Sequence, residues 1–128
     1  MYVASEAEVT FRFGSSNRKR RRLVHRIRRW VELARDVRVR RLFIDGSFIT
    51  AKPDPNDVDA VTLLPSDFEN QIATNLDAAI ELEEMLLTRR PEEIFAAEDE
   101  TDWNEWVEFF SRTREADGQR KGLVEIEL

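Results

Sequence analysis

The chain has 128 residues, of which 41% are apolar and 36% charged, with a net charge of −6. That length supports one domain with a real core, spanning 1–128, and excludes two. With no cysteine and a single histidine, His25, the chain cannot build a disulfide framework, a thiolate metal site or a histidine-rich metal site by itself.

The average charge hides a polarity. Residues 1–52 carry fourteen Lys/Arg against five Asp/Glu, whereas residues 53–128 carry six against twenty-one. Such asymmetry fits either a charged partner or two halves that neutralise each other on folding. No apolar run is long enough to cross a bilayer. The opening Met1–Glu8 has neither the basic start nor the apolar centre of a signal peptide. A cytoplasmic setting, with no membrane, is therefore expected.

In chain order, Glu8 to Gly14 alternates weakly, so the first sixteen residues read as an edge strand or an extended arm. Ser15-Ser16-Asn17 offers helix caps. The helix that follows, about Arg18 to Arg35, has an apolar stripe of Leu23, Ile27, Trp30, Val31 and Ala34, with Leu33 on its flank. Arg18, Arg22, His25, Arg26 and Arg29 fall on or beside the opposite side. Arg38 to Ile44 and Val58 to Leu64 read as two strands. Ser66 or Asp67 then caps a second long helix, whose stripe is Phe68, Ile72, Leu76, Ala79, Ile80 and Leu86-Leu87. It runs to about Thr88, where Arg89-Arg90 suits the helix dipole and Pro91 forbids continuation.

Glu92 to Ala97 is a short strand and Glu98 to Asp102 a loop or cap. Trp103, Trp106, Val107 and Phe110 make a short helix to about Arg112, and aromatic residues at that spacing are usually core. Ala116-Asp117-Gly118 signals a turn, and Leu123 to Leu128 alternates as a terminal strand. The order of elements indicates the α+β class: a mixed sheet with helices packed mainly on one face.

The chemistry concentrates between Arg41 and Leu64. An apolar strand meets a Gly46-Ser47 turn, crosses a Pro/Asp/Asn loop and enters a second strand at Asp57-Val58-Asp59. Residues two apart on a strand share a face, so Asp57 and Asp59 project together. Like charges that close raise each other's pKa unless a cation intervenes, and carboxylates suit Mg²⁺ or Mn²⁺. The bland reading is a turn followed by a solvated strand end.

Gly46-Ser47, nine residues, then Asp57-Val58-Asp59 resembles the signature of the polymerase-beta-like nucleotidyltransferase superfamily. The fuller stretch Asp45 to Asp59 is similar to a small bacterial family of single-domain nucleotidyltransferase-like proteins. The resemblance implies a nucleotidyltransferase-like sheet and transfer of a nucleoside monophosphate from an NTP to a protein or RNA acceptor. By the same resemblance, Asp57, Asp59 and Glu93 hold Mg²⁺ or Mn²⁺ and form the catalytic acids. The Gly46 backbone, the Ser47 hydroxyl and Lys52 meet the nucleotide phosphates. It further implies a toxin–antitoxin or defence setting, with a cognate toxin or antitoxin as partner. The motif leaves the base, the acceptor and the oligomeric state open.

The Arg-rich helix carries the alternative. Arg18, Arg20, Arg21, Arg22, Arg26 and Arg29 could contact a nucleic-acid backbone or a protein partner, on an inactive scaffold of the same fold. Against this stands a solvated helix face balanced by the acidic half, with no aromatic stacking platform interleaved. Arg114 and Lys121 read as part of a basic hairpin, and His25 as a surface residue.

Overall fold

Strands and helices interleave in a computed structural model that describes residues 2–13, 18–45, 59–88, 93–112 and 123–128. The strands are β1 (Tyr2–Ala4), β2 (Arg41–Asp45), β3 (Asp59–Leu63), β4 (Glu93–Ala97) and β5 (Val124–Ile126). The helices are α1 (Glu6–Phe13), α2 (Arg18–Val37), α3 (Phe68–Ala73), α4 (Asp77–Thr88) and α5 (Glu100–Arg112). The strands form one mixed sheet in the order β1-β5-β2-β3-β4. β1 and β5 are parallel, as are β3 and β4, while β2 is antiparallel to both of its neighbours. The α+β class with a mixed sheet is what the sequence indicated.

Alternation along the strands sorts the core into two layers. On one face Leu42, Ile44, Ala60, Ile94, Val124 and Ile126 pack with the apolar stripes of α1, α2, α3 and α4. All six apolar residues expected to line α2 are buried, each burial contributing roughly 1.5–3 kcal/mol for the larger side chains. On the other face Phe43, Val61, Leu63, Ala97 and Leu123 meet Trp103 and Phe110 of α5. Phe43 takes Trp103 and Phe110 edge-on, at 5.1 and 5.8 Å between ring centroids. One helix thus covers the second face, and it does so with aromatic bulk.

The N-terminal arm differs from expectation. An edge strand exists, but at Tyr2–Ala4, and the described part of the weakly alternating stretch is helix α1. The reason is local: Ser5 Oγ accepts from the Glu8 amide at 3.1 Å, while the Glu8 carboxylate reaches back to the Ser5 amide at 3.5 Å. This reciprocal Ser-x-x-Glu cap starts a helix, and it was visible in Ser5-Glu6-Ala7-Glu8.

The second long helix is two helices. Asn75 takes φ 63°. Its amide donates to the Ile72 carbonyl and that of Leu76 to the Gln71 carbonyl, both at 3.0 Å, closing α3 with a left-handed cap. The break resets the face of α4. Ala79, Leu82 and Leu86 are buried, whereas Leu76 and Leu87, expected in the stripe, are exposed. Asp67 precedes α3 without a side-chain cap bond. Instead its carboxylate accepts from the Gln71 amide group at 3.0 Å.

The same cap closes α2, with Arg38 at φ 64° and the Val39 amide on the Ala34 carbonyl at 2.9 Å. Asparagine tolerates this conformation, but arginine places a Cβ against backbone there. Arg38→Gly should therefore raise the unfolding free energy in urea by about 0.5–1 kcal/mol, the relief of Cβ strain exceeding the added chain entropy. Asn75→Gly should change it less. A loss of stability in Arg38→Gly would show that its side chain, not its backbone, matters at this turn.

Candidate functional site

β2 and β3 pair along their whole length and end at Asp45 opposite Asp59. β3 and β4 start in step, with Asp59 opposite Glu93. Three acidic positions therefore form one lateral row across three neighbouring strands. Strands lie about 4.8 Å apart, and positions paired side by side belong to one face of the sheet. The row lies at the end of the aromatic face, two residues along from Phe43, Val61 and Phe95. Asp59 is half-buried there.

The chain between β2 and β3, residues 46–58, leaves the sheet at one member of this row and returns at the next. Gly46, Ser47, Lys52 and Asp57 fall in it and lie outside the described residues. Glu92 also lies outside them. Among the described residues no group of three or more His, Asp or Glu side chains is placed to hold a metal ion. Asp45 is the acid that sequence reasoning left out of the site. It stood at the head of the motif stretch, but only strand pairing could set it beside Asp59.

Helix α5 runs back from the far end of β4 toward the acidic row. Its Trp103 ring lies against the Arg41 guanidinium, 4.7 Å from the ring centroid, and its Phe110 meets Phe43 and Phe95. Trp106 meets Phe95 at a tilt, 4.8 Å between ring centroids, and Phe109 is exposed beside it. Arg41 also makes two bonds, at 2.8 and 2.6 Å, to the Glu125 carboxylate on β5. These bonds hold the Arg41 pKa above its ordinary value, against the opposing effect of burial. Nothing in the sequence links residues so far apart. The pair locks β5 against β2, the strand that ends at Asp45 in the acidic row.

On α2, Arg21, Arg22, His25, Arg26, Arg28 and Arg29 are exposed. Arg18 and Arg20 stand in the first turn, where no acidic residue offsets the positive end of the helix. Acidic partners from the fold already engage part of this array. Arg29 grips the Glu81 carboxylate of α4 with bonds of 2.7 and 2.5 Å and reaches Glu32 at 2.8 Å. Arg28 and Arg35 share the Glu6 carboxylate of α1, each at 3.2 Å. Arg29 thus clips α2 to α4, and a phosphate would have to displace Glu81 to reach it. The Glu81 bond comes first among the causes that push the Arg29 guanidinium pKa up, and the same bond draws the Glu81 carboxyl below its usual range.

Residues 1–127 match a family model described as a family of unknown function, DUF6932. No curated protein and no solved structure matches the chain.

The Arg29–Glu81 clip has a pH signature. A carboxyl whose folded pKa lies below its ordinary value of 4.5 adds stability that is complete above that value and is lost as pH falls through the folded pKa. In urea titrations, Glu81→Gln should therefore be less stable than wild type at neutral pH and indistinguishable from it near pH ~2. A deficit that persists undiminished in acid would mean that Glu81 acts through packing rather than through its charge.

Proposed function

We propose that this chain, which belongs to the DUF6932 family, is a metal-dependent nucleotidyltransferase that moves a nucleoside monophosphate from an NTP to a hydroxyl of a protein or RNA. The observation that carries the reading is the register that sets Asp59 directly beside Glu93 on adjacent parallel strands. A slip of one residue would send one of the two to the opposite face. The row they form with Asp45 lies at the end of β2, immediately before Gly46 and Ser47 in the chain.

The donors in this row are carboxylates, hard oxygen ligands that fit Mg²⁺ or Mn²⁺ and not a thiolate-seeking metal. Asp57, Asp59 and Glu93 are the residues that would hold the ion, which would offset the charge of the triphosphate. Gly46 and Ser47 would present backbone amides and a hydroxyl to phosphate oxygens, with Lys52 as a further cation. The acceptor hydroxyl oxygen forms a bond to the α-phosphorus as the bond to the bridging oxygen breaks. Pyrophosphate leaves, and the hydroxyl proton passes to a carboxylate of the row, for which Glu93 is suited by position. The exposed arginines at the start of α2 would then serve an RNA or protein acceptor rather than the reaction itself.

Radiolabelled NTP with Mg²⁺ or Mn²⁺ and candidate acceptors tests the reaction, and thermal shift with a non-hydrolysable NTP tests binding. Saturating nucleotide at about 100 times Kd should add about 2.7 kcal/mol to the folded state, a rise of several degrees. Asp59→Asn and Glu93→Gln should abolish label transfer and most of the metal-dependent shift. If wild type shows neither, or if both variants match it, the transferase reading fails. An inactive scaffold predicts nucleic-acid or protein binding that survives Asp59→Asn and weakens when Arg21 and Arg22 are neutralised.

A further inference from the structure

A second feature stands at the opposite end of the sheet from the acidic row. Past the ends of β3 and β4, a groove of about 410 Å³ opens between α3 and α4. Its apolar lining includes Phe68, Ile72, Leu86 and Leu87, and Leu87 stands on its lip with 77% of its surface exposed. Glu69, Glu83 and Glu98 also line it. Among the described residues none of these three carboxylates is ion-paired, whereas Glu6, Glu81 and Glu125 each hold an arginine. Arg40, beside the groove, is turned to backbone, donating to the carbonyls of Leu64 and Glu98 at 3.3 and 3.2 Å.

We propose that this groove docks a basic amphipathic segment of a partner protein, which seats an apolar side chain between Phe68 and Leu87 and sets Lys or Arg against Glu69, Glu83 and Glu98. Two physical arguments select this occupant. Among the described residues, the charged side chains that line the groove are all carboxylates, and Arg40 beside it is engaged with backbone carbonyls, so the lining's complement is cationic and a nucleic acid is disfavoured. A second copy docked through a two-fold axis would bring this patch against itself, facing carboxylate with carboxylate. Leu87 adds the length requirement. A ligand confined to the cavity would leave that leucine in water, while a peptide that crosses the lip covers it. The proposal is independent of the nucleotidyltransferase reading, since the groove shares no residue with the acidic row.

The test uses the full chain and two fluorescein-labelled peptides of alternating register, one built of leucine and lysine, the other of leucine and glutamate. Fluorescence anisotropy should show salt-sensitive binding of the lysine peptide and none of the glutamate peptide. The pair Glu69→Lys/Glu83→Lys should weaken it by at least about tenfold, and Leu87→Ser should weaken it severalfold without altering the melting temperature. The pair Glu105→Lys/Glu127→Lys, with the same change in net charge placed elsewhere, should leave binding unchanged. Equal losses from the two charge pairs would reduce the effect to bulk charge and overturn the proposal. So would absence of binding, or a concentration-dependent dimer in sedimentation that Leu87→Ser dissolves, which would assign the groove to a second copy.

Discussion

The constraint on which everything else in this molecule depends is the lateral register of β2, β3 and β4. It sets Asp45 beside Asp59 and Asp59 beside Glu93, and in the same stroke aligns Phe43, Val61 and Phe95 toward α5. Side chains alternate with a period of two, so the register that gathers the acids also decides which residues enter which core layer. A sheet that buries both faces cannot slip its register without exposing Leu42, Ile44 and Ala60 on the other side. Hydrophobic burial thus fixes the three acidic positions side by side.

The rest of the scaffold reinforces that row from both sides. β5, last in the chain, inserts between β1 and β2 and is pinned there by the Arg41–Glu125 pair beneath Trp103. The partly buried pair draws three elements together: two strands and the helix that lies over them. On the opposite face α2 packs its apolar stripe into the core and is clipped to α1 through Glu6 and to α4 through Glu81. The charge polarity of the sequence is thereby partly consumed inside the fold, as basic α2 meets acids that come from before and after it. Two acidic regions stand at opposite ends of the sheet, the row at one and the groove rim at the other. Those are the two places where the reading of function turns to a ligand.

Much of the architecture was legible because its signals are local. The α2 stripe and the apolar strand runs each state their structure within a few residues and are found where read, except that the strand expected from Arg38 begins at Arg41, because Arg38 caps α2. The Pro91 stop lies outside the described residues. The core role of Trp103 and Phe110 also stands as read. Where the reading failed, the cause was also local but quieter. The reciprocal cap of Ser5 and Glu8 outweighed a faint alternation in Glu8 to Phe13, and Asn75 ended a helix whose apolar pattern continued through it. An apolar stripe says that a helix exists, not that it is unbroken. A single residue able to enter left-handed backbone can divide it and turn Leu87 outward.

The sequence alone determined the α+β class, the existence of nearly every element and the stretch in which acidic chemistry gathers, because periodicity and turn chemistry act over short distances. It also carried the resemblance borne by Gly46-Ser47 and Asp57-Val58-Asp59. Tertiary structure decided what stands beside what: Glu93 next to Asp59, β5 between β1 and β2, Arg29 on Glu81 and Arg41 on Glu125. Those pairings join residues tens of positions apart, and no local preference encodes them. They follow from packing two apolar faces at once, a condition that only the whole sheet can satisfy.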